Sequence, residues 1–268
     1  MKTLLTNAKL LTFNPSAAQC KRRAKEILAI DGLRLNLILC TLLYLTFFVG
    51  GIYMVECAFS AVPWAELYEQ NVLLHFAWLA ILFLIEACVL VFALLPMSYG
   101  AAMIFHGAAM GRKEPLSQLF FAFGSARNYR HAFGVMARLL ILPAATLGVC
   151  TLLVLLGKGT NSPWLVLLMF FIAALVFLTV SLICCRDDAV LALAYRCPDA
   201  RVRDLFAASH RITKSAWRKL FLFKLSFWFW TLLSVASLGL LTILHALPYF
   251  TIAHALFTGV SDEPDLSE

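Results

Sequence analysis

Chemistry in a protein needs side chains that can move protons, hold metals or attack a substrate, set at spacings that let them act together. Glu86, within LAILFLIEACVLVF, is the one acid well inside an apolar run. A carboxyl at the centre of a membrane helix costs about 2.5–3.5 kcal/mol on insertion scales, so such a residue is by default a candidate for a proton or cation path. The plainer alternative is a protonated or internally paired Glu that fixes helix packing, because one acid without a partner supplies no mechanism. His75, His245 and His254 fall near the ends of apolar runs or within them, and His245 and His254 do not share a helix face. A metal pair is therefore not indicated, and packing or interfacial histidines are expected. Asp187 and Asp188 stand beside Arg186, which reads as a solvated, salt-bridged turn rather than a catalytic carboxylate pair.

Of the eight cysteines, Cys40, Cys88, Cys150, Cys184 and Cys185 lie in apolar runs, and Cys20 and Cys197 in basic flanks. None forms a CxxC, so neither zinc nor redox chemistry is indicated. Gly100, Gly107 and Gly111 match neither a phosphate-binding loop nor a dinucleotide fingerprint. With Ala101 and Ala108 they form a stripe of small residues suited to close helix crossing. There is no G-x-S-x-G, H-E-x-x-H or Walker string. The expectation is a chain with no catalytic residues, no metal and no cofactor.

The elements that must position these residues follow from composition. Of 268 residues, 62% are hydrophobic and only 14% charged, with 22 phenylalanines, and the mean hydropathy is +0.86. Soluble domains carry about 45–50% apolar and about 25% charged residues, so too few polar side chains are present to coat a surface against water. The implied solvent is lipid, and each span needs about 20 mostly apolar residues. The reading is an all-α polytopic bundle of six spans, near 35–55, 72–95, 139–157, 163–185, 220–238 and 240–258. The second run is ended by Pro96, and 97–138 reads as a basic loop with short interfacial helices. Residues 1–34 form a basic cytoplasmic helical segment without a cleavable leader, and 259–268 an acidic tail. The alternative for the last apolar stretch is one long helix with a re-entrant segment, which would put the tail on the other side.

Charge orients the bundle. All of the 22 Lys and Arg residues except Lys158 and Lys224 fall before the first span, in 97–138 or in 186–219. The positive-inside rule then places the N-terminus and both loops in the cytoplasm. Between Val202 and Lys219, apolar Val202, Leu205, Phe206, Ile212 and Ala216 gather near one helical face, with Arg201, Arg203, Arg211, Lys214 and Arg218 largely outside it. That pattern predicts one amphipathic helix lying on the inner leaflet. Together with Lys21, Arg22, Arg23, Lys25 and Lys219 it offers a surface for acidic lipid headgroups, at about 1 kcal/mol per cation. The net charge of +7 therefore points to lipid and not to nucleic acid.

Several strings also resemble a known family. CKRRAKEIL, LPMSYGAAMIF followed by GRKEPLSQLFFAFG, and SHRITKSAWRKLFLFKLSFWFWTLL followed by LPYFTIAHALF are similar to the bacterial integral membrane family called domain of unknown function 975, over about residues 18–258. The matching positions are Arg23, Ala24 and Lys25; Tyr99 and Gly100; Leu119, Phe120 and Phe123; Leu225, Ser226, Phe227 and Trp230; and Pro248 with Tyr249. The chain departs from the pattern after the fourth span, where Arg196 takes the place of an Asp, and at Ser215, where Gly is usual. The resemblance implies a divergent member in the bacterial inner membrane. It also extends to the noncatalytic membrane part of certain glycerophosphodiester phosphodiesterases, a lipid context without chemistry.

The expected function is membrane-level and noncatalytic: binding or organising lipid, or serving as a partner in a membrane complex. The rival is a small-solute transporter or channel with Glu86 in its path, and a membrane-embedded lipid enzyme ranks last.

Overall fold

The computed structural model describes residues 16–30, 32–60, 72–158, 163–214, 216–227 and 247–258, and among them every element is helical. Helix α1 (Ala17–Leu28) starts where Ser16 can close a capping box: its hydroxyl accepts the Gln19 N–H at 3.1 Å, and the Gln19 side chain accepts the Ser16 N–H at 3.1 Å. Cys20, Ala24, Ile27 and Leu28, at helical spacing, form its buried stripe. Helix α2 (Leu33–Ser60) follows a turn at Gly32.

The next segment departs from the sequence expectation. Pro96 does not end the second run; helix α3 (Val72–Cys88) passes through a π-helical turn (Val89–Leu94) into α4 (Leu95–Ala109). Proline at 96 deprives the Phe92 carbonyl, four residues earlier, of its α-helical donor and crowds it. The widened turn accommodates the ring, and the Tyr129 hydroxyl donates to the Phe92 carbonyl at 2.8 Å. Helix α4 therefore continues the second run into sequence expected as a basic loop with short interfacial helices. It ends in a Schellman cap, with Gly111 at φ +73°, its N–H on Ala108 O and the Arg112 N–H on Gly107 O, both at 2.9 Å.

A 3-10 segment (Leu116–Gly124) then lies against α4. The contact is close enough that a Cβ at Gly100 would collide with the backbone carbonyl oxygens of Gln118 and Leu119. Helix α5 (Ala126–Lys158) begins well before the expected third span. At about 1.5 Å per residue it outreaches a hydrocarbon core of about 30 Å, so Arg127, Arg130 and Arg138 ride on a rigid extension of the span. Helix α6 (Pro163–Cys184) antiparallel to it closes in a 3-10 turn (Cys185–Asp187), followed by α7 (Val190–Arg196).

The region expected as one amphipathic helix is two: α8 (Val202–Thr213) and α9 (Trp217–Leu225). Helix α10 (Leu247–Thr258) is the last described element. The middle of the expected fifth and sixth spans, and the turn between them, lies outside the described residues.

Two apolar cores meet on α4. Its Met97, Ile104, Phe105 and Ala108 pack with α1, α2, α9 and α10, and its Tyr99 and Met103 with α5, α7 and α8. Among the described residues, four helical stretches are long and apolar enough to cross a membrane: Leu33–Cys57, Val91–Ala109, Ala126–Gly157 and Trp164–Arg196. The apolar window of the second is 61% buried, whereas those of the last two are only 6% buried. So α4 is a packed core helix, and α5 and α6 present bare apolar walls. Val72–Leu82, within the second expected span, is a shorter apolar helix.

Candidate functional site

One polar cluster gathers at the end of α6, where Arg186, Asp187 and Asp188 follow one another. The Arg186 carbonyl is left free by the helix end, and α8 supplies donors for it: the Ser209 hydroxyl at 2.7 Å and the Thr213 hydroxyl at 3.0 Å, one helical turn apart. Asp187 meets His210 of the same helix, Oδ1 to Nε2, at 2.7 Å. Asp188 turns the other way, into the protein. Its Oδ1 accepts from Lys224 Nζ of α9 at 2.6 Å, and its Oδ2 faces His254 Nε2 of α10 at 3.6 Å. The Asp188 side chain is 10% exposed, His254 18% and Lys224 32%. Three consecutive residues thus fasten three helices.

This overturns the expectation of a solvated turn for Asp188. The carboxylate is buried because α9 and α10 close over it, and Lys224 neutralises a charge that would otherwise be costly to bury. The contact leaves unmet valence. Asp188 Oδ2 and His254 Nε2 are buried without a hydrogen-bond partner, as is His106 Nε2 on α4. The His106 Nδ1 lies 2.8 Å from the Ala102 carbonyl one turn back, which assigns the ring proton to Nδ1 and leaves Nε2 a bare acceptor. Among the described residues, no group of three or more His, Cys, Asp or Glu side chains could hold a metal ion.

A second polar junction joins α2, α4 and α7. Glu114 lays its side chain over Gly107, its backbone carbonyl accepts the Asn36 amide at 2.9 Å, and its carboxylate accepts the Tyr195 hydroxyl at 2.6 Å.

The basic candidates divide into two kinds. Lys21 is tied within the fold, with Nζ donating to the Ser226 hydroxyl at 2.7 Å and lying 4.6 Å from the Phe227 ring centre; burial holds its ammonium below the usual lysine range. Arg22 pairs with Glu26 at 3.0 Å in an exposed i,i+4 bridge, while Arg23 and Lys25 are exposed. Arg201, Arg203, Arg211, Lys214, Arg218 and Lys219 are all exposed, and none forms an ion pair among the described residues. Arg218 covers the ring of Trp217. Behind them, Leu205, Phe206, Ser209 and Thr213 of α8 are buried against protein, with Arg138 of α5 stacked 4.4 Å from the Phe206 ring centre. The apolar face of this helix is therefore occupied by protein and is not available to sink into lipid.

Of the positions shared with the family resemblance, Ala24, Tyr99, Gly100, Leu119, Phe227, Pro248 and Tyr249 are buried packing residues, while Arg23, Lys25, Phe120, Phe123 and Ser226 are exposed. Tyr99 is 1% exposed and meets His131 edge-on at 5.8 Å, and Gly100 admits the 3-10 segment. Phe227 gathers Phe223, Tyr249 and Phe250 at 5.0–5.5 Å, with Pro248 buried alongside and Leu225 exposed. Trp230 and His245 lie outside the described residues, as do the side chains of Glu86 and His75; the backbone of Glu86 belongs to α3, just before the π turn.

The architecture is that of an all-helical, membrane-embedded protein. Compared with known proteins, the chain matches no family model, no curated protein and no solved structure.

Proposed function

We propose that this chain is a noncatalytic integral protein of the bacterial cytoplasmic membrane, a divergent member of the family it resembles, whose inner face binds and organises anionic lipid headgroups. In this reading it has six spans, from the lengths of its apolar runs, and a cytoplasmic N-terminus, which the distribution of Lys and Arg supports. The observation that carries the proposal is the row of exposed cations along α8, its two cap positions and α9, Arg201, Arg203, Arg211, Lys214, Arg218 and Lys219, which form no ion pair among the described residues. Their helices are anchored from behind, so the cations are held at a fixed surface and attract the leaflet by charge alone. Each contributes about 1 kcal/mol near an anionic membrane. The bare apolar walls of α5 and α6 supply the membrane insertion that α8 does not.

The test uses full-length protein in nanodiscs containing both anionic and zwitterionic phospholipid, with bound lipid read by native mass spectrometry. Replacing Arg201, Arg203, Arg211 and Lys214 by Gln should cut the preference for anionic lipid by up to about 4 kcal/mol in total. Added salt should mimic the substitution, because screening acts within about 8–10 Å. Equal loss of both lipids would sink the headgroup reading.

A further inference from the structure

We infer that the acidic segment 259–268 covers the cations at the start of α9 as an internal counterion, which anionic lipid must displace in order to bind. The inference rests on the headgroup reading above and concerns the regulation of that same surface. Its geometry comes from the way α9 and α10 pair. Phe227, just past the end of α9, meets Phe250 near the start of α10 at 5.0 Å, while Phe223, one turn earlier, stacks flat on Phe257 at 4.4 Å. Between these two contacts Asp188 holds Lys224 at 2.6 Å and faces His254 at 3.6 Å. Partners thus fall in number along α9 as they rise along α10, so the two helices run antiparallel. The end of α10 at Thr258 lies beside the start of α9, on the side of the protein that carries Lys214, Arg218 and Lys219. A single long helix with a re-entrant segment would have set the two on opposite sides.

Charge identifies the occupant. Segment 259–268 carries Asp262, Glu263, Asp265 and Glu268 and no Lys or Arg. The cations it would meet are not already served: Lys214, Arg218 and Lys219 form no ion pair among the described residues, and the acids of the nearby turn, Asp187 and Asp188, are engaged by His210 and Lys224. Reach is sufficient. At about 1.5 Å per residue, Arg218 and Lys219 stand only about 6–8 Å along α9 from Phe223, the residue that Phe257 touches. An extended chain covers about 3.3–3.6 Å per residue, so Asp262 can lie about 13–14 Å beyond Thr258 and Glu268 more than twice as far. A partner tethered this closely acts at an effective concentration on the order of millimolar, without any new contact elsewhere. One set of ion pairs is exchanged for another, with no covalent or redox step. The segment therefore sets how much anionic lipid the leaflet must hold before the cations engage it.

The experiment places one full-length chain in each nanodisc and treats it with a zero-length carbodiimide, which joins a lysine amine to a carboxylate in contact with it. Mass spectrometry of the peptides locates the links. In phosphatidylcholine, Lys214 or Lys219 should be joined to acids of 259–268; phosphatidylglycerol mixed into the disc, or high salt, should abolish the links. A variant carrying Asp262→Asn, Glu263→Gln, Asp265→Asn and Glu268→Gln should bind phosphatidylglycerol roughly 3–10 times more tightly, the discount that a mostly occupied surface places on apparent affinity. Absence of links in phosphatidylcholine overturns the contact. Links equally strong in both discs, or an unchanged affinity in the four-acid variant, overturn the competition. The Gln variants of the α8 cations judge the headgroup reading separately: if they lose the preference for anionic lipid while wild type forms no links, lipid binding stands and this inference alone falls. If they keep that preference, the headgroup reading falls, whatever the links show.

Discussion

At the scale of single residues, the feature that matters most is a carboxylate buried by its partners. Removing one member of the Asp188 and Lys224 pair leaves the other charge uncompensated, which costs more than the pair itself gains. Lys224→Met should destabilise by about 3 kcal/mol, toward the low end for buried pairs because Lys224 retains some contact with solvent. Adding Asp188→Leu should restore most of that loss. Denaturation of both variants in detergent checks the pair, and a double variant no better than the single one would show that shape, not charge, holds α9. Gly100 poses the opposite constraint, since what crowds it is backbone, which cannot swing aside. Gly100→Ala should cost about 1–3 kcal/mol by overpacking, measured in the same assay.

Among elements, the passage of α3 through the π turn into α4 is supported by one hydroxyl. Pro96 removes a backbone donor, and Tyr129 replaces it from another helix. Tyr129→Phe keeps the stacking on Phe133, 6.0 Å away, but removes the donor, so it should cost about 0.5–1.5 kcal/mol and speed amide exchange around the turn. Helix α8 illustrates how an amphipathic pattern can be satisfied by protein instead of lipid. Truncating Phe206, which is 2% exposed and lies beneath Arg138, should cost about 3–5 kcal/mol in thermal or denaturant unfolding. An isolated α8 resting on lipid would show no such loss.

At the scale of the whole molecule, the described residues divide into a densely packed end, built around α4, and long apolar helices that leave it with little protein contact. Orientation is the prediction that belongs here. In spheroplasts, a membrane-impermeant thiol reagent should label exposed Cys57, after the first span, while a cysteine introduced at exposed Ala207 should react only once the membrane is opened. Native Cys20 should stay silent in both conditions, because burial pushes its thiol up to about 11 and leaves almost no thiolate at neutral pH. Labelling at position 207 before position 57 would reverse the topology.

Composition and the run lengths of apolar residues were enough to specify an all-helical chain for lipid, because hydropathy and helical periodicity are local properties that a string of residues carries by itself. The expected first span, and the cores of the third and fourth, coincide with described helices for that reason. Pro96 misled because a proline need not end a helix: the π turn before it makes room for the ring, and Tyr129, far along the chain, meets the carbonyl it orphans. Asp188, Lys224 and His254 showed no spacing to connect them, since they come from three separate elements. Nor could the pattern of α8 state whether its apolar face would meet lipid or Leu193 and Met136 in the shared core. Burial and charge pairing are decided by which segments pack together, and that information exists only in the tertiary structure.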